Sequence, residues 1–212
     1  MKALVIGATG ATGKDLVGLL LKDHEYNEVV LFVRRSTGIN HPKLKEIITD
    51  FSDWDKISDA IQGDVWFSCL GTTLKIAGSK EKQKEIDYGI PARFAETAKA
   101  NGIQKVVLLS AYGASASSKV FYSKIKGELE DKIRALQFNS LIIFRPGVLV
   151  RNNTDRVGES ISIGILEFLN RLGILRKFKP LPTSLLAEKL VKASKSLSPG
   201  EHITELDKVF QF

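Results

Sequence analysis

The 212-residue sequence holds one cysteine, Cys69, and three widely separated histidines, His24, His41 and His202. A single cysteine excludes an internal disulfide and any CxxC zinc site, and it points to a reducing compartment. No HExxH spacing joins the histidines, so no metal site is expected. Long apolar runs are also missing. The opening MKALVIGATG meets Gly7 too soon for the apolar region of a signal peptide. Later apolar stretches fall well short of the roughly 18 residues that a membrane span needs.

Acids are the scarcer charge: 24 Asp and Glu stand against 31 Lys and Arg, a net charge of +7. That surplus suits nucleic acid, a membrane surface or a phosphorylated small molecule without choosing among them. Lys75, Lys80, Lys82 and Lys84 form one basic group, and Arg171, Arg176, Lys177 and Lys179 a second. Neither has interleaved aromatics, which argues against nucleic acid and for solvated faces. With 43% hydrophobic residues the chain can bury a sizeable core. These features predict a soluble, cytoplasmic, globular protein.

Short β-branched runs alternate with helical patterns from the first residue. Strands are expected at Lys2–Ile6, Glu28–Arg34, Ile47–Thr49, Asp64–Leu70, Gln104–Ser110 and Ser140–Arg145. Between them the spacing predicts helices at Lys14–Lys22, Asp53–Ile61 (capped by Asp53 or Ser52), Lys80–Ala100 and Lys119–Leu136. Asn101-Gly102 is a helix stop signal. Nearly continuous apolar strands separated by helices read as an α/β, doubly wound parallel sheet covered on both faces. Beyond Gly147 the alternation fails. Arg151–Gly158 reads as a loop, Ile161–Leu172 and Thr183–Leu197 as helices, and the last ten residues as an edge strand. The expected organisation is one domain, with 1–150 as its core and 151–212 as a small substrate or lid elaboration.

The densest motif is Gly7-Ala8-Thr9-Gly10-Ala11-Thr12-Gly13, set between a strand and a helix. Gly7 suits the tight turn, Gly10 the close approach of a pyrophosphate, and Gly13 the packing of helix on strand. The helix N-terminus offers unpaired N–H groups to an anion. A carboxylate at the end of the second strand would bind a ribose 2′-OH, whereas arginine accommodates a 2′-phosphate. Here Arg34, Arg35 and Ser36 follow Val33, with no acid among them. Two guanidinium groups can grip a phosphate through charge-assisted bonds, so NADP(H) is preferred over NAD(H).

With these residues in place, the sequence resembles an atypical branch of the short-chain dehydrogenase/reductase superfamily, close to the Tat-interacting-protein-like oxidoreductases. The resemblance rests on the glycine spacing, Asp50-Phe51, Cys69-Leu70-Gly71-Thr72-Thr73, Ser110, and Tyr122 with Lys126 in Tyr-x-x-x-Lys. It implies an adenine contact at Asp50 and Phe51, and a cofactor-side loop at Leu70, Gly71 and Thr72. It further implies a turn near the nicotinamide at Pro146, Gly147 and Val148, and ribose contacts from Lys126. Asp87 falls where many members carry a relay Asn.

Tyr122 and Lys126 are four apart on a helix and share one face. An ammonium near a phenol favours the phenolate and lowers a pKa of about 10. Tyr122 is then a candidate acid/base, with Ser110 polarising the same substrate oxygen. The residues leave open whether Ser110 or one of Ser115, Ser117 and Ser118 serves. Cys69 reads as a packed residue, not a nucleophile. The expected function is an NADPH-dependent oxidoreductase acting on a small carbonyl or alcohol, as a monomer or homodimer. A nucleotide-binding sensor or scaffold is the alternative, and a nicotinamide-retaining epimerase a third.

Overall fold

The computed structural model describes residues 1–150 and 176–212. The first half of the fold contains β1 (Lys2–Ile6), α1 (Ala11–Lys22), β2 (Glu28–Val33), β3 (Leu44–Ile48), α2 (Asp55–Ser58) and β4 (Val65–Ser68). There follow α3 (Leu74–Ala77), α4 (Lys80–Lys84), a π-helical turn at Glu85–Gly89, α5 (Ile90–Ala100), β5 (Lys105–Leu109), α6 (Phe121–Ala135) and β6 (Ser140–Arg145). The described C-terminal part adds β7 (Leu149–Val150), β8 (Leu181–Pro182), α7 (Thr183–Ser196), β9 (Gly200–Glu205) and α8 (Lys208–Gln211).

One seven-stranded sheet runs in the order β3-β2-β1-β4-β5-β6-β9, and every neighbouring pair is parallel. The α/β, doubly wound parallel architecture read from the sequence is the architecture found. Strand side chains alternate between two cores. Ala3 and Val5 of β1 face the core shared with α1 and α7, which includes Leu16, Leu20, Leu186 and Leu190. Leu4 and Ile6 face the opposite core, with Phe94 and Ala98 of α5 and Leu129 and Ile133 of α6. Burial on both faces explains why these strands read as unbroken apolar runs. Phe94 anchors the second core, with its ring centroid 5.0 Å from both Phe32 and Trp66. Strand order reverses between β1 and β4, opening the crevice at their C-terminal ends where such folds bind ligands.

Three local expectations need correction. The helix expected over 53–61 is only Asp55–Ser58, with Trp54 and not Asp53 or Ser52 as its entry residue, while Asp53 pairs with Lys56 at 2.8 Å. The helix over 80–100 is interrupted by the π turn at Glu85–Gly89, although it stops as expected: Gly102 has φ +85° and the Ile103 amide donates to Ala98 at 2.9 Å. The terminal strand ends at Glu205. Leu206, at φ +48°, then turns the chain into α8, which returns Val209 to the core and brings Phe212 within 5.9 Å of Phe144. The expected loop at Arg151–Gly158 and helix at Ile161–Leu172 lie outside the described residues. Among the described residues, no helix is long and apolar enough to cross a membrane.

A buried polar contact ties α7 to the first half of the chain. The Ser194 hydroxyl donates to Val191 O at 2.6 Å, so Tyr26 is the donor in its 2.6 Å bond to Ser194. Burial pushes the Tyr26 phenol up to about 12. Tyr26→Phe strands a buried acceptor and is expected to remove about 1–3 kcal/mol, read as a lower denaturant midpoint at constant slope. The raised phenol pKa contributes stability that is complete below the unfolded value of about 10 and is lost as pH rises through the folded value. Wild-type stability should therefore fall between about pH 10 and 12 through this group, and that part of the fall should vanish in Tyr26→Phe.

Candidate active site

The glycine loop is built by contacts between main chains. Gly7 has φ +81°, and a Cβ there would lie 2.4 Å from the Cys69 carbonyl carbon and the Leu70 nitrogen. A Cβ on Gly13 would lie 2.1 Å from Gly7 O, so α1 sits directly against the turn. Gly10 is exposed and enters α1 without a side-chain cap, and the first turn contains no acid. That leaves the N-terminal amides of a twelve-residue helix without a side-chain cap beside Thr9, Ala11 and Thr12. A pyrophosphate fits this cradle sterically and electrostatically.

From the loop a cavity of about 560 Å³ extends along Thr9 and Lys14 to Arg34, Arg35, Ser36 and Thr37. The two arginines predicted from the end of β2 thus meet the glycine loop in space, and neither is ion-paired with a described residue. Lys14 was not singled out from the sequence. Its place in the first turn of α1, one residue past Gly13, is the signal that would have found it. These groups give the far end of the cavity a positive wall that can meet an anion. Asp50 is exposed, and its Oδ1 accepts from the Ser52 amide at 2.9 Å and hydroxyl at 2.6 Å, which hold the carboxyl below its usual range. Phe51, at φ +66°, turns its side chain into the core against Trp54.

The second half of the site gathers around α6. Lys126 Nζ lies 6.0 Å from the Tyr122 ring centroid, and Tyr122 is exposed while Lys126 is buried. Lys126 pairs with Asp87 Oδ1 at 3.3 Å and donates to Leu70 O at 3.4 Å. Asp87 Oδ2 accepts from the Thr72 amide at 3.0 Å, and Gln83 Nε2 donates to Thr72 O at 3.3 Å. Gly71 leaves room for the pair: a Cβ there would lie 3.1 Å from Asp87 Oδ1. Burial raises the Asp87 carboxyl above the usual range, opposed by Lys126 and the Thr72 amide. The π turn delivers Asp87, already marked by its place at the relay Asn position, to this point, and no sequence pattern announces the turn itself.

Ser110 is buried, and its hydroxyl donates to Glu130 Oε1 at 2.5 Å. Glu130 also receives Arg145 Nε at 2.9 Å, and Arg145 Nη1 donates to Glu205 at 2.6 Å. These carboxylates push the guanidinium further up. Ser115 and Ser117 bond to each other at 2.9 Å, and Ser118 accepts from the Val120 amide. Pro146 O accepts from the Tyr112 amide at 3.0 Å, which ties the 146–148 turn to the loop after β5. Gly147 packs toward Leu206, and Val148 is exposed. Burial pushes the Cys69 thiol up to about 12, which disfavours the thiolate.

Known proteins match this arrangement. A family model described as NAD(P)H-binding matches residues 7–160. Protein FMP52, mitochondrial, from Candida albicans is 37% identical over 191 residues, covering 87% of this chain and 83% of that protein. Protein HTATIP2 from Rattus norvegicus is 38% identical over 160 residues, 73% of this chain and 66% of that protein. A solved short-chain dehydrogenase/reductase superfamily protein from Agrobacterium tumefaciens, with bound NAD, superposes at a TM-score of 0.75 with 15% identity. That superposition covers 97% of this chain and 77% of the other. Several FMP52 relatives are named mitochondrial, which overturns the cytoplasmic expectation. Composition and apolar run length bear on secretion and membrane spanning and carry no organelle address. By sequence the chain belongs to the NAD(P)H-binding family, and it shares its fold with the short-chain dehydrogenase/reductase protein on which it superposes.

Proposed function

We propose that this protein is an NADP(H)-dependent oxidoreductase acting on a small carbonyl or alcohol. The observation that carries the reading is the pairing of exposed Tyr122 with buried Lys126, one helical turn apart, beside the 70–72 loop. The glycine loop and the α1 N-terminus would hold the pyrophosphate, with Asp50 and the Phe51 backbone at the adenine. Arg34, Arg35 and Lys14 would hold the 2′-phosphate. Leu70, Gly71, Thr72 and Lys126 would hold the nicotinamide ribose, with Pro146, Gly147 and Val148 beside the ring. The bound nicotinamide supplies or accepts the hydride.

Tyr122 gives its phenolic proton to a substrate carbonyl oxygen, or takes one from an alcohol. Lys126 is held for this work by Asp87, which supplies its counter-charge inside the protein. Ser110 has its only proton committed to Glu130, so it can polarise a carbonyl only by releasing that bond. Tyr122 is accordingly the principal donor. One domain carries all of this, with 1–150 supplying the named residues and 151–212 the smaller elaboration, as a monomer or homodimer. The sensor reading draws on the same committed Ser110 and on Asp87 in place of the relay Asn.

Tyr122→Phe separates the two readings. With a panel of small aldehydes and ketones as substrates, it should retain NADPH binding and lose about 10²–10⁴-fold in turnover. Wild-type protein that binds NADPH yet turns over none of the panel favours the sensor. Asp87→Asn leaves the buried ammonium without its counter-charge. It is expected to destabilise the fold by about 3 kcal/mol in chemical denaturation, and a loss within 0.5 kcal/mol (roughly the scatter of surface substitutions) would deny the pair its role.

A further inference from the structure

The turn bearing the two arginines is held from the neighbouring strand. Parallel pairing of β2 with β3 places Glu46 opposite Leu31. Its carboxylate reaches past the end of β2 to the turn, where Ser36 Oγ donates to Oε2 at 2.6 Å. The Thr37 amide donates to Oε1 at 2.9 Å, and the Thr37 hydroxyl donates to the same oxygen. Each hydroxyl oxygen also accepts from an amide two residues on, Gly38 to Ser36 at 3.1 Å and Ile39 to Thr37 at 3.3 Å. Gly38, at φ +73°, completes the bend. The three donors hold the Glu46 carboxyl below its usual range, so it stays ionised at neutral pH.

This turn is one wall of the 560 Å³ cavity, and Arg34 and Arg35 enter it directly. Glu46 is not among the residues lining the cavity; it acts from behind. With both hydroxyl protons committed to Glu46, the positive groups left to meet a phosphate are the guanidiniums and Lys14. Two flexible arginines grip one phosphate well only if their backbone is already ordered. We propose that Glu46 is the positioning residue for cofactor choice: it locks the Ser36–Thr37 turn so that Arg34 and Arg35 are presented together to a 2′-phosphate. This rests on the NADP(H) reading and adds the element that makes the clamp rigid. A nucleotide without the 2′-phosphate gains nothing from the lock.

The test is a fluorescence titration of the full chain with NADPH and with NADH, for wild type, Glu46→Ala and Glu46→Gln. Glu46→Ala should weaken NADPH about tenfold and leave NADH within about twofold. Glu46→Gln, whose amide still bridges Ser36 and Thr37, should restore most of the NADPH affinity. If Glu46→Ala does not fold, Ser36→Ala combined with Thr37→Val removes both hydroxyl bonds to Glu46, keeps only the Thr37 amide bond, and should again weaken NADPH selectively. Equal weakening of both nucleotides, or NADPH affinity unchanged or tightened, overturns the proposal while leaving the NADP(H) reading intact. Wild-type protein that binds neither nucleotide overturns both.

Discussion

The site depends on a main-chain contact that leaves no room for a side chain. Gly7 lies so close to the Cys69–Leu70 peptide, and Gly13 so close to Gly7, that a single methyl at either position would collide with backbone. This contact fixes the start of α1, the end of β1 and the loop after β4 relative to one another. It sets the helix N-terminus at the strand-order switch point, where parallel sheets of this type open a crevice. It also brings the 70–72 loop to where Asp87 and Lys126 can hold it from the far side.

From that contact two polar frameworks extend in opposite directions. Toward β2 and β3 the framework is open and basic, with Arg34, Arg35 and Lys14 around a cavity and Glu46 bracing the turn behind it. Toward β5 and β6 it is closed and internally neutralised. Lys126 has Asp87, and Arg145 has Glu130 and Glu205. Buried pairs of this kind gain little net stability, because removing both charges from water offsets their attraction. They do specify orientation, and here they point an ammonium at a main-chain carbonyl and a serine hydroxyl away from solvent. Cations without an ion-pair partner among the described residues on one side, and paired cations on the other, suit a ligand whose phosphates lie at one end and whose reacting ring lies at the other.

Much of this was legible in the sequence. Period-two alternation hidden inside fully apolar runs gave five strands within a residue or two, because burial on both faces demands those residues. Gly7, Gly10, Gly13, Arg34, Tyr122 and Lys126 were legible because backbone sterics and helical spacing are local. Contacts between distant segments were not. Glu46 reaches Ser36 only through sheet pairing, Glu130 reaches Ser110 only through the packing of α6, and Asp87 is aimed by a π turn that leaves no residue signature. Phe51 stands in sequence as a cofactor neighbour, yet its side chain fills the core, because nothing local separates an apolar wall from an apolar anchor. α2 is shorter than its pattern, since its entry residue is Trp54 and it ends at Ser58.

In the proposed reading, the cleft beside the glycine loop selects a nucleotide by its 2′-phosphate. The most direct test of that reading is a titration of purified wild type and Arg34→Ala with NADPH and NADH, followed by nucleotide fluorescence. Wild type should bind NADPH more tightly than NADH, and Arg34→Ala should lose about tenfold of the NADPH affinity while leaving NADH binding unchanged. Equal affinity of wild type for both nucleotides, or an Arg34→Ala protein that keeps its preference, would contradict that reading.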